Sequence, residues 1–150
     1  MGRPSIYEYA GGEAAFQALA AATHERCLQD EVLEHPFSHG TRPDHVERLG
    51  RYWAEVFGGP AGYTTAADDH STMLQLHAGQ GMDDDLGERF LRAFVAAYDD
   101  AGLPDDPDLR AALRAYMSWA VAEVMSYNTA DATVSPDLPV PRWSWTGRQG

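Results

Sequence analysis

The sequence predicts an all-α domain, and three observations carry that reading. Apolar residues recur at helical spacing through most of the 150 residues. Nowhere do they alternate with the period of two that a half-buried strand needs. Glycine and proline stand where the helical stretches stop. One domain is the expectation at this length, large enough to bury a core without disulfides or a structural metal.

The first long helix is expected over residues 13–29, entered through Gly11-Gly12. Phe16, Leu19, Ala20, Thr23 and Cys27 fall at i, i+3, i+4, i+7 and i+11, which is one helix face. Val32 and Leu33 add a short turn before Pro36. A second helix starts near Pro43, with Thr41 as a candidate N-cap. Its apolar face is Val46, Leu49, Trp53, Val56 and Phe57, and Gly58-Gly59-Pro60 ends it. Residues 61–71 read as a polar loop, followed by a short apolar piece over 73–78 that stops at Gly79. The third long helix begins around 83–85, where Asp side chains complement the helix dipole. It buries Leu86, Phe90, Ala93, Phe94 and Ala97 and ends near Gly102 and Pro104. The fourth covers residues 106–126, with Leu109, Leu113, Tyr116, Met117, Ala120 and Val124 inward. The pattern stops at Asn128. Residues 129–150 carry Pro136, Pro139, Pro141, Trp143 and Trp145 and read as an extended tail, either disordered or laid against the domain. The chain thus divides into a helical domain, 1–128, and a tail, 129–150.

Charge narrows the partners. Asp and Glu number 23 against 11 basic residues, all Arg, for a net charge of −12. That balance argues against nucleic acid, whose phosphates need a basic face, and against an anionic membrane surface. No apolar run approaches the ~20 residues that span a bilayer, and residues 1–10 do not read as a signal peptide. The expectation is a cytoplasmic protein. Cys27 is the one cysteine, so no intrachain disulfide forms. Its place on the apolar face reads as an inert core thiol.

Six histidines invite a metal reading. His35 and His39 flank the turn Pro36-Phe37-Ser38, and His70 follows Asp68-Asp69. All three read as exposed loop polarity. His24 follows Phe16 by eight residues, on the buried stripe of its helix. His45 precedes Leu49 by four and Trp53 by eight, and His77 closes the apolar piece Met73-Leu74-Gln75-Leu76. One such histidine reads as a core residue. Three in one small domain each cost free energy if buried without a partner. The zinc spacing HExxH, the nucleophile elbow GxSxG and the phosphate loops are absent. The runs Asp83-Asp84-Asp85 and Asp105-Asp106 read as helix N-terminal charges, since the EF-hand pattern is missing.

Four landmarks follow one another in order. Ile6-Tyr7-Glu8-Tyr9-Ala10-Gly11-Gly12-Glu13 precedes Phe16, and Asp30-Glu31-Val32-Leu33 precedes Phe37. Phe57-Gly58-Gly59-Pro60 then precedes Tyr63, and His77-Ala78 comes last. This set, covering about residues 6–128, resembles the truncated haemoglobins, most closely those of group II. The resemblance implies a two-over-two helical sandwich around haem b, with His77 as the proximal iron ligand. His45 falls at the distal position of the facing helix, and Leu49, Tyr52 and Trp53 are pocket positions further along it. His24 stands where the family usually has Tyr, Phe37 where Tyr or Phe is common, and Phe90 where group II typically has Trp. Arg48 and Tyr63 match the residues that hold a haem propionate, and Met73 is a further implied haem contact. Leu76 replaces the basic residue that often precedes the proximal histidine, which leaves Arg48 as the main cation.

The function implied is binding of oxygen, nitric oxide or carbon monoxide at iron held by His77, with His24 and His45 acting on the ligand. Two alternatives stay open. One is a haem-dependent oxidoreductase, peroxidase-like or removing nitric oxide, in which a distal histidine acts as a base toward peroxide and an external reductase supplies electrons. The other is a haem-free globin-like binding protein. A monomer and a homodimer are both compatible with the sequence.

Overall fold

The computed structural model describes residues 3–34, 44–65, 74, 79, 85–135 and 138–149. The chain opens with a one-turn helix, α1 (Ile6–Ala10), capped by the Ser5 hydroxyl, which accepts from the Glu8 N–H. Gly11 and Gly12 both take positive φ, and the chain turns there into α2 (Glu13–Gln29). The residues that α2 buries are Phe16, Leu19, Ala20, Thr23 and Cys27, the stripe expected from periodicity.

Asp30 shapes the turn that follows. Its carboxylate accepts from the backbone N–H groups of Val32 (2.8 Å) and Leu33 (3.1 Å) and pairs with Arg89 at 3.2 Å. Leu33 is thereby held fully buried. Burial works against the charge, but the two N–H groups and Arg89 outweigh it and hold the carboxyl below its ordinary value. A depressed carboxyl stabilises the fold above its unfolded pKa and loses that contribution as pH falls through the folded one. Asp30→Asn keeps an acceptor for the turn and loses the charge. It is expected to be about 1 kcal/mol less stable at neutral pH, as for a partly exposed pair. The gap should close as pH falls below the ordinary carboxyl value of 3.8, which thermal unfolding followed into acid measures.

Next come α3 (His45–Val56) and the short α4 (Gly62–Thr65). The helical turn of α4 lies inside the stretch read from sequence as a polar loop, and Tyr63 is buried there. Thr41 and Pro43, the expected start of the second helix, lie outside the described residues. Then follow α5 (Leu86–Asp100) and α6 (Pro107–Ser126). The start of α6 is fixed by Asp106, whose side chain accepts from Asp108 N–H (2.8 Å) and Leu109 N–H (3.3 Å), with Pro107 in the first turn.

The helices form two pairs. α2 packs on α3 and also on α5, and α5 packs on α6, the two-over-two arrangement that the resemblance implies. Close approach of α5 to α6 needs Gly87, because a Cβ there would meet Val121 Cγ1 at 2.5 Å. The core between the pairs holds Ile6, Phe16, Leu19, Phe57, Phe94, Leu109, Leu113 and Tyr116, all nearly inaccessible to water.

The tail departs from the all-α expectation in one detail. Residues after Pro141 make a small antiparallel hairpin, β1 (Arg142–Ser144) and β2 (Gly147–Gln149), with Trp143 opposite Arg148. Two three-residue strands are too short to show an alternating pattern in sequence. Of the two arrangements left open for the tail, the described part is laid against the domain. Val140 is buried in the main core, and Trp145 Nε1 donates to the Pro4 carbonyl at 2.9 Å.

Candidate functional site

Two of the three inward histidines meet. His24 on α2 and His45, the first residue of α3, face each other with ring centroids 5.3 Å apart and planes tilted by 54°. His24 Nδ1 and His45 Nε2 are both buried. The local sequence brings their helices close. At Gly50 a Cβ would meet the Gln17 amide at 2.5 Å, and Gln17 Nε2 donates to the Glu47 carbonyl at 3.1 Å. A side chain at position 50 would displace the Gln17 amide from that contact.

Aromatic and aliphatic side chains surround this meeting of helices. Trp53 is buried and packs edge-on against Phe94, centroids 5.0 Å apart. Leu49 and Phe90 are half-buried against the same core, and Phe90 also reaches the smaller cluster of Cys27, Leu33 and Ala93. Burial pushes the Cys27 thiol up to about 12, so it carries no thiolate chemistry near neutral pH.

A second group lies alongside, where α3 meets α4. Tyr63 on α4 meets Tyr52 edge-on at 5.0 Å, and the Arg48 guanidinium stands 5.9 Å from the Tyr63 ring centre. Arg48 and Tyr63, singled out together in the sequence, are therefore neighbours. The Tyr52 hydroxyl is hydrogen-bonded with that of Tyr116 in the core, and burial pushes both phenols well up. Phe37, Met73 and His77 lie outside the described residues, as do His35, His39 and His70. On either side of His77 in the chain, Leu74 is fully buried, and the Gly79 N–H donates to the Tyr127 carbonyl at 2.8 Å.

Two features went unread in the sequence. Glu55 is a buried carboxylate on α3, 4.0 Å from the Arg142 guanidinium, which also donates to the Glu55 carbonyl at 2.7 Å. Its signal was the acid in the middle of the apolar run Trp53-Ala54-Glu55-Val56-Phe57. Trp119 and Trp143, from α6 and β1, lie 5.8 Å apart beside Tyr116. No local spacing joins them, since the pair forms only when the tail folds back.

The arrangement of helices, with two imidazoles meeting between α2 and α3, invites comparison with known proteins. The model of the bacterial-like globin family matches residues 5–128. The chain belongs to the bacterial-like globins. Solved structures agree with that assignment for this globin. A haemoglobin of Chloroflexus aurantiacus is 27% identical with a TM-score of 0.70, covering 81% of this chain and 98% of that one. A thermostable haemoglobin of Thermobifida fusca is also 27% identical, with a TM-score of 0.69 over 81% of this chain and 96% of that one. The group II truncated haemoglobin of Bacillus anthracis shares the fold at 17% identity, with a TM-score of 0.71 over 83% and 92% of the two chains. Comparison with curated protein sequences gave no match. No helix among the described residues is long and apolar enough to cross a membrane.

Haem is the group that this family implies, and the residues in place fit it. Imidazoles from two helices meet at 5.3 Å beside an apolar and aromatic wall. A guanidinium next to a phenol suits the anionic edge of the macrocycle.

Proposed function

We propose that this globin binds haem b through His77 and holds a diatomic gas (oxygen, nitric oxide or carbon monoxide) on the side where His24 and His45 meet. The observation that carries this reading is the approach of those two imidazoles, 5.3 Å apart, from the two helices that the family places above the haem. Haem iron, when bound, supplies the site at which a small ligand is taken up. The chain supplies the rest. Leu49, Trp53 and Phe90, with Phe37 and Met73, keep water from the haem faces. Arg48 offers its charge to a propionate, and Tyr63 fixes the guanidinium from the other side. The imidazole of His24 or His45 donates one N–H to the ligand.

That N–H sets the rate at which ligand leaves. A hydrogen bond to a charged group is worth about 1.5–3 kcal/mol, which corresponds to about a tenfold to a hundredfold change in an equilibrium constant. Oxygen is therefore expected to leave His24→Leu or His45→Leu, whichever removes the donor, faster by about that factor. The other substitution changes the rate less, by altering access. Stopped-flow oxygen release from both variants measures this. Unchanged rates in both would remove the two histidines from ligand binding.

A further inference from the structure

Five oxidisable rings stand in a row from α4 to the C-terminal hairpin. Tyr63 meets Tyr52 edge-on at 5.0 Å. The Tyr52 and Tyr116 hydroxyls are hydrogen-bonded to each other. Tyr116 meets Trp143 edge-on at 5.6 Å and lies 6.4 Å from Trp119, and the two indoles are 5.8 Å apart. The three tyrosines are buried and the two tryptophans half-buried. Packing alone would be served as well by phenylalanine, which stands at Phe57 against the same Tyr116 ring, 5.0 Å away. None of the five rings in the row is phenylalanine.

We propose that this row carries single electrons between the haem pocket and the protein surface, with Trp143 as its outer end. The inference rests on the haem reading above, which sets Tyr63 at the propionate edge. Tyrosine and tryptophan give up an electron far more readily than phenylalanine or aliphatic side chains. Electron transfer falls off steeply with distance, so short steps between touching rings outrun one long step.

Access sets the outer end of the row, and Trp143 provides it. That indole lines an open groove of about 570 Å³ together with Ala112, Ala115 and Trp145, so a small solute reaches it.

The oxidant is hydrogen peroxide, and the reductant is a small phenol. Peroxide takes up two electrons and two protons in the pocket, its O–O bond breaks, and two waters leave. Two phenol molecules at the Trp143 end each give up one electron and one proton and leave as phenoxyl radicals. The rings return to their starting state.

The test uses the full-length, haem-loaded protein mixed with hydrogen peroxide in the absence of phenol. Frozen samples are read by electron paramagnetic resonance, digested samples by peptide mass spectrometry, and the haem absorption of every variant is recorded first. Wild type is expected to show a tyrosine or tryptophan radical and oxidation at Trp143. Tyr116→Phe keeps the ring packing and is expected to lose most of the oxidation at Trp143. Tyr9→Phe, an exposed tyrosine that meets Trp145 and is not one of the five rings, leaves it unchanged. Trp143→Phe confines the radical to tyrosine and Trp119. Trp143 oxidised equally in wild type and Tyr116→Phe, or oxidised in neither although haem is bound, overturns the path alone. A protein that takes up no haem overturns the haem reading and the path with it.

Discussion

Replacing His77 by alanine is expected to abolish tight haem retention. His77 lies in the chain between Leu74, which is fully buried, and Gly79, whose N–H is tied to the Tyr127 carbonyl at 2.8 Å beyond the end of α6. Fixed points that close on both sides suit a residue that must hold a metal. Groups that merely orient a metal ligand are worth about ten- to a hundredfold in affinity, so loss of the ligand itself should speed haem loss by at least about a hundredfold. Transfer of haem to an excess of a haem-free acceptor globin measures that rate. Haem that stays bound is expected to sit on His24 or His45 and to show an altered absorption spectrum. A wild-type spectrum and a wild-type rate in His77→Ala would contradict the assignment.

The second large effect belongs to the tail. A chain ending at Asn128 is expected to fold and take up haem, in keeping with a helical domain that we propose spans residues 1–128. Its stability should nevertheless fall by about 3–5 kcal/mol, the range for losing one large buried aromatic side chain. The truncation removes Val140 from the main core and lifts Trp143 off Tyr116 and Trp119. It also takes Arg142 away from the Glu55 carboxylate, which is 1% exposed. Removing one partner of a buried charge is costly because the remaining charge stays out of water. Chemical denaturation of the haem-free and haem-loaded forms measures the loss. Val140, Trp143 and Arg142 replaced singly by alanine divide it among the three contacts. A truncated chain as stable as the full one would show that these contacts contribute nothing.

Helical periodicity made the scaffold legible where a helix has one buried face. The α2 stripe Phe16, Leu19, Ala20, Thr23 and Cys27 is the buried set of that helix. The same spacing turned His24 and His45 inward from two separate helices, and the fold brings them to 5.3 Å. What periodicity could not show is which neighbour a side chain on a helix flank chooses. Tyr52 is one of the pocket positions that the resemblance implies, and its hydroxyl is hydrogen-bonded with that of Tyr116 on α6, because a buried phenol needs a partner and that one is at hand. Glu55 was hidden for a related reason. A carboxylate inside an apolar helix face is tolerated only with a partner, and one partner, Arg142, is contributed by a hairpin 87 residues away. The hairpin itself rests on Trp143 packing against Tyr116 and Trp119 and on the Trp145 bond to Pro4. Such long-range contacts leave no local trace.

The central claim is that this chain binds haem through one proximal histidine and leaves the other side for a gas ligand. Its most direct test is the visible absorption spectrum of the purified protein after addition of haemin and removal of the excess. The ferric form, the dithionite-reduced form and the reduced form under carbon monoxide are compared. The expected result is an intense Soret band at one haem per chain that sharpens and shifts when carbon monoxide is admitted. A protein that emerges colourless would contradict the claim, as would one whose reduced spectrum does not respond to carbon monoxide.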